Sequence, residues 1–387
     1  MKGKCFDIKP SGLQYFENFN ERCLAELETA HDAGSSVAGI YCIFAPAELI
    51  RAAGAIPVGL CGKKQAPIPR AEEELPANLC PLIKSSYGYA VSDTCPYFAA
   101  SDFIVGETTC DGKKKMFELL GKIKPLHLLH LPYLTDDSHA LDFWQSEMVR
   151  FQGFLEYQTG IPVTDDSLRD QIRLANRMQK AFMILLDHYR RRRLDLTGSE
   201  LLVLLETKGF VVNLEAYIRQ LENLNAELDR MPVQDGTQKP RILLTGTPVG
   251  KGSDKVLKIL ESAGAQVLVQ ENCTGIKSLY YPFDETLAAD DPMKAMARRY
   301  LALPCACMSP NPNRYRLLER LIHDYGIQGV VDLTWQCCHT YDIESYPLQQ
   351  WVGSRFGIPA LHLETDYSES DIGQLQTRIE AFLKLIE

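Results

Sequence analysis

The sequence predicts an α/β protein built from two parallel-sheet domains, flavodoxin-like or Rossmann-like, joined by a helical segment. Short strand-like apolar runs alternate with helical runs over the first 160 residues. An unbroken helical periodicity follows, and the alternation resumes beyond a linker-like stretch. Strands separated by helices of this length pair in parallel within an α/β sheet. The predicted division is an α/β domain over 1–160, a helical segment over 161–235 and a second α/β domain over 236–387.

Each element has a local reason. VAGIYC (37–42) is an apolar run of strand length, and PAELIRAAG (46–54) is helical, with Pro46 suited to a first turn where its missing N–H has no partner to lose. IPVGL, SDFIVGE (101–107) and PLHLLHLP (125–132) are the next strands, and KKKMFELL the helix between the last two. From about Asp165 to Arg230, DSLRDQIRLANRMQKAFMILLDHYRRRR and LEAYIRQLENLNAELDR place apolar residues three and four apart, the helical spacing. VQDGTQKP, after Pro232, reads as a linker. RILLTG (241–246), AQVLVQEN (265–272), GVVDLTWQ and ALHLETD are strands, with SDKVLKILESAG (253–264) and YPLQQWVGSRFG as helices among them. No short-period repeat is present, but the two α/β parts share a pattern.

A chain of 387 residues exceeds one ordinary core. A net charge of -9 with only short lysine and arginine runs excludes a broad nucleic-acid footprint. MKGKCFDIKPSG lacks the apolar stretch of an export signal, and no apolar run approaches the roughly 18 residues a membrane helix needs. The expectation is a soluble, cytoplasmic protein whose twelve cysteines are reduced. Such thiols serve as buried small residues, catalytic groups or metal ligands.

Their positions favour ligation. Cys42, Cys110, Cys273 and the pair Cys337 and Cys338 each follow a predicted strand, and in parallel sheets the carboxyl ends of strands share one edge where ligands bind. Cys5 and Cys23 read as packing residues. The chain has no local CxxC pair of the zinc type, and its eight histidines show no ligand spacing, so iron-sulfur ligation is favoured over zinc. His339, directly after Cys338, reads as a hydrogen-bond donor to the site. Lys113, Lys114 and Lys115, behind Cys110, form either a cationic stretch that offsets cluster charge or a solvated helix face. Glu48 opens a helix at a strand end, where a carboxylate serves as an acid, a base or a ligand. GTPVGKG (246–252) follows a strand but matches neither phosphate-loop pattern, which favours a tight connection. The run RRRR (190–193) reads as the solvated end of a helix.

YCIFAPAELIRAAGAIPVGLCG, LPANLCPLIKSSYGYA, DTCPYFAASDFIVGETTCDGKKKMFELL, QCCHTY and LETDYS together resemble the 2-hydroxyacyl-CoA dehydratase and benzoyl-CoA reductase family over nearly the whole chain. With CACMSPN and ENCTG beside them, the sequence is most similar to the branch of double-cubane cluster proteins. The resemblance implies a 4Fe-4S cluster on Cys80, Cys110 and a cysteine of QCCHTY, with Cys338 preferred to Cys337. It also implies a separate ATP-hydrolysing iron-sulfur activator that delivers one low-potential electron. In the dehydratases that electron makes a ketyl radical of a thioester; in the double-cubane branch the same supply reduces small molecules. Two cubanes sharing a bridging sulfide need six thiolates, and the preferred set is Cys42, Cys80, Cys110, Cys305, Cys307 and Cys338, ahead of Cys273 and Cys95. The expected cofactor is therefore a double-cubane 8Fe-9S cluster, the alternative being one 4Fe-4S cluster in a dehydratase subunit. ATP is used by the partner, the substrate is a small molecule, and a homodimer is expected.

Overall fold

The computed structural model describes residues 10–134, 137–233 and 239–386. Its strands are β1 (Val37–Ile40), β2 (Ile56–Gly59), β3 (Phe103–Glu107), β4 (Leu126–Leu129), β5 (Arg241–Gly246), β6 (Gln266–Glu271), β7 (Gly329–Trp335) and β8 (Ala360–Thr365). They form two four-stranded parallel sheets, β2-β1-β3-β4 and β6-β5-β7-β8. The α/β reading holds, and the common strand order makes β1 correspond to β5, β2 to β6, β3 to β7 and β4 to β8. Every residue of β3 and of β7 is buried, as central parallel strands covered on both faces require. In each sheet the strand order reverses beside the first strand in sequence, β1 or β5, and that point is where parallel sheets open a ligand crevice.

Packing brings distant parts of the chain together. The helix Ser138–Thr159 buries Trp144, Met148, Phe151 and Leu155 against Phe103, Val105 and Leu129 of the first sheet. Met296, Tyr300, Leu303 and Cys305, from the last third of the sequence, belong to the same core. In the helical segment, Asp165–Arg190 starts at a Thr164–Ser167 capping box, and Leu214–Leu228 is fastened to it by Asn225 donating to the Ala181 carbonyl at 2.8 Å.

One helix starts earlier than the pattern suggests. YPLQQWVGSRFG is only the end of His339–Phe356, and Pro347 lies inside it. The reason is that Cys338 occupies the N-cap, so the chain turns helical directly after β7 and the QCC turn. Cys337 takes the left-handed backbone of that turn at φ 63°. Among the described residues no helix is long and apolar enough to cross a membrane.

His127 of β4 lies between Phe151 and Phe154 at ring distances of 4.9 and 5.0 Å, with its Nε2 buried and without a partner among the described residues. Burial, then the Arg150 charge, lowers its pKa to about 4, with Glu147 opposing and His130 adding to the shift. Only the unfolded chain then gains a proton as pH falls through the ordinary histidine value, so stability is lost between about pH 6.5 and pH 4. His127→Phe should remove that loss. Thermal melts at about pH 5 and pH 7.5 should show the variant gaining on the parent at the lower value; an equal difference at both would reject the assignment.

Candidate metal centre

Of the four thiols that stand at helix N-caps among the described residues, three come together. Cys80 caps Pro81–Val91, Cys110 caps Asp111–Leu120 and Cys338 caps His339–Phe356. An N-cap presents unpaired N–H groups and the positive end of the helix dipole, so it favours a negatively charged sulfur. The Cys110 sulfur accepts from Lys113 N at 3.4 Å. Gly112 allows the close approach of this turn, since a Cβ there would stand 2.8 Å from Ile83 Cδ1 and 2.9 Å from Leu79 Cδ1. Cys80 and Cys338 neighbour each other across the two domains, and their interaction raises the Cys80 pKa and lowers that of Cys338. Cys110 also feels the Cys338 charge. The first sheet's side thus supplies two thiols of this group, and the second sheet the third.

A second group lies deeper in the crevice. Cys42, Cys61 and Cys273 line a cavity of about 250 Å³ between the sheets, with Glu48, Lys63, Glu206, Lys208 and Tyr300 among its polar walls. Cys305 and Cys307 adjoin it: their interaction lowers the Cys305 pKa and raises that of Cys307, and Cys42 and Cys273 act electrostatically on Cys307. Cys61 escaped the sequence reading, although it carries the same strand-end signal. It lies two residues past β2, as Cys273 lies two past β6, and Cys110 and Cys338 each lie three past β3 and β7.

Buried cations accompany both groups. Lys113 is 8% exposed and lies 3.5 Å from Glu107. Burial opposes its charge, but Cys42, Glu107, Cys61 and Cys110 outweigh it and raise its pKa. Glu107 is pushed up to about 7 by burial, with Lys113 opposing. Lys277, fully buried, lies 3.0 Å from Glu271 and donates to Tyr341 Oη at 2.6 Å, and that hydroxyl is 4.0 Å from the Cys305 sulfur. Behind it Arg314 joins Glu271 (3.6 Å), Asp332 (3.3 Å), Thr245 (2.9 Å) and Glu344. Lys208 is lowered to about 7 by burial and the Lys63 charge.

The remaining candidates are placed as follows. Glu48 lines the cavity and accepts from Tyr300 Oη at 2.6 Å, a partner 252 residues away. Lys114 and Lys115 stand on the solvent side and pair with Asp111 and Glu118, and His339 is exposed at the first turn of its helix. Cys95 caps the short helix Pro96–Ala100, Cys23 is buried and donates to the Phe210 carbonyl, and Cys5 lies outside the described residues. The Gly250, Lys251 and Gly252 amides of GTPVGKG are taken by Ser253, Glu206 and Asp254, so the loop is a tight connection without a vacant phosphate cradle. Arg190 and Arg191 pair with Asp187, and Arg193 with Asp229, at a helix end.

A model of the 2-hydroxyglutaryl-CoA dehydratase D-component family matches residues 42–386. The chain belongs to this family. It is 41% identical over 380 residues to YjiM of Escherichia coli (strain K12), provisionally named as a dehydratase subunit, covering 96% of this chain and 97% of that one. It is 23% identical to the beta subunit of (R)-2-hydroxyglutaryl-CoA dehydratase of Acidaminococcus fermentans, covering 90% and 92%. A benzoyl-CoA reductase subunit of Thauera aromatica matches at 20%, covering 70% and 69%. The resemblance seen in GETTCDGKKKM and its companion motifs is therefore a true relationship.

Members of this dehydratase and reductase family use iron-sulfur clusters. The donors here fit such a group in chemistry: they are thiols, and buried lysines and helix N-caps stand beside them to offset negative charge. Among the described residues no three His, Cys, Asp or Glu side chains converge to hold a single ion. The thiols are instead spread along the crevice.

Arg314→Leu should leave Glu271 and Asp332 buried without their cation and cost about 3–5 kcal/mol of stability. Urea denaturation followed by circular dichroism measures this, and a loss below about 1 kcal/mol would show that the carboxylates find other partners.

Proposed function

We propose that this protein is the iron-sulfur component of an ATP-dependent reductase, taking very low-potential electrons from an ATP-hydrolysing iron-sulfur activator and reducing small molecules at a double-cubane cluster. The observation that carries this reading is the gathering of two thiol groups about one interdomain crevice, more thiols than the three a single-cluster subunit employs. Cys42, Cys80, Cys110, Cys305, Cys307 and Cys338 would hold the cluster, with Cys61 and Cys273 positioned to substitute in the second group. When bound, such a cluster supplies electrons at low potential, because thiolate and sulfide ligands make further negative charge unfavourable.

The chain's own residues have separate tasks in this reading. Lys113 and Lys277 offset charge from opposite sides of the crevice. Glu48, held by the Tyr300 hydroxyl, places a carboxylate at the cavity wall beside a bound molecule. The exposed His339, Lys114 and Lys115 lie beside the N-caps at Cys338 and Cys110, the face proposed for the activator. The protein is proposed to act as a homodimer.

A second reading, a 2-hydroxyacyl-CoA dehydratase subunit with one 4Fe-4S cluster on Cys80, Cys110 and Cys338, draws on the names of the dehydratase relatives. Iron and sulfide analysis of anaerobically purified protein separates the two: about eight irons per chain is expected, whereas about four would favour the dehydratase subunit and near zero would reject both. Cys110→Ala should lose iron while Cys95→Ala keeps it, and full retention in the first would remove Cys110 from the ligand set. With the activator present, substrate reduction should stop when a non-hydrolysable ATP analogue replaces ATP; equal turnover would remove the coupling.

A further inference from the structure

The main cavity has two smaller neighbours, of about 60 and 30 Å³, and Glu48 and Met178 line all three. Glu48 is held by the Tyr300 hydroxyl. Met178, on the helix Asp165–Arg190, reaches the junction with an unbranched thioether side chain that changes rotamer at little cost. The ionic groups of the main cavity are engaged elsewhere. Lys63 pairs with Glu206 at 2.6 Å, Lys208 donates to the carbonyls of Leu205, Thr274 and Gly275, and Arg299 donates to those of Ser278 and Tyr281 while lying over the Tyr300 ring. No cation among these is free to bind a phosphate or carboxylate.

We propose that Met178 is a specificity-determining residue that divides this space and restricts the substrate to a short, uncharged molecule, its reacting end toward Glu48 and its apolar remainder along Ile40, Ala47 and Met178. The proposal deepens the reductase reading and rests on it for the identity of the reaction. Replacing Met178 by alanine joins the main cavity to its neighbours and admits a longer molecule, while tryptophan fills the junction.

The test compares the full-length cluster-loaded parent with Met178→Ala and Met178→Trp, after iron analysis shows equal loading. Crystals pressurised with xenon, which enters dry apolar cavities, should gain xenon at the junction in the alanine variant and lose it in the tryptophan variant. With activator and ATP, the rate on 1-pentyne relative to acetylene should rise about tenfold in the alanine variant and fall in the tryptophan variant. Identical xenon occupancy in all three proteins, or an unchanged rate ratio, would overturn the proposal. The expected xenon pattern without reduction of any alkyne would support the role of Met178 in shaping the cavity and count against the reductase reading.

Discussion

The rest of the crevice depends on keeping several thiols and the charges beside them out of water. An isolated buried ion is costly, by several kcal/mol even after relaxation, so such a site persists only when opposite charge and directed N–H groups stand close. Lys113 answers this need on the side of the first sheet and Lys277 on that of the second. Neither lysine is left as an uncompensated charge, because Glu107 and Glu271 stand at 3.5 and 3.0 Å. Arg314, with its four acidic and hydroxyl partners, fixes Glu271 in turn. The charges therefore form a chain in which each member holds the next, and the thiols are its inner end.

The doubled topology serves the same constraint. One parallel sheet offers a crevice at the strand ends beside its reversal point. Two sheets with the same strand order, opposed across one crevice, bring the strand-end residues of both to it. Cys61 answers Cys273, and Cys110 answers Cys338, at matching distances past corresponding strands. Because Cys80 meets Cys338 from the other domain, neither sheet holds the first thiol group alone. Contacts such as Tyr367 Oη to the Gly62 carbonyl at 3.2 Å, and Lys63 to Glu206, keep the walls in register.

Much of this was legible in sequence because it is local. Strand runs, the helical middle and the strand-end placement of Cys42, Cys110, Cys273 and Cys338 all follow from short-range pattern. The role of Lys113 against Lys114 and Lys115 was also readable in principle: Lys113 precedes the buried Met116 and Phe117 by three and four residues, which puts all three on one helix face. Cys61 carried the same strand-end signal. What no local pattern contains is the pairing of Glu48 with Tyr300, or the meeting of Thr245, Glu271, Asp332 and Glu344 on Arg314, since those partners are joined only by tertiary packing. The start of His339–Phe356 lies eight residues before Pro347, in the HTYDIES stretch that follows the QCC turn.

Tyr341 links the two thiol groups. It lies three residues past Cys338 on the first turn of a helix whose N-cap is that cysteine, so its backbone belongs to the outer group. Its hydroxyl, 4.0 Å from Cys305 and 2.6 Å from Lys277, belongs to the inner one. The Tyr341 ring also lies under both Lys277 and Arg314, each 5.0 Å from its centroid, which favours a fixed ring over a mobile one. Cys338 is therefore connected to the thiols at the cavity over one helical turn, through a packed ring and a hydrogen-bonded ammonium. The outer group, beside exposed residues, and the inner group, beside Glu48 and the cavity, are thus joined through one packed side chain.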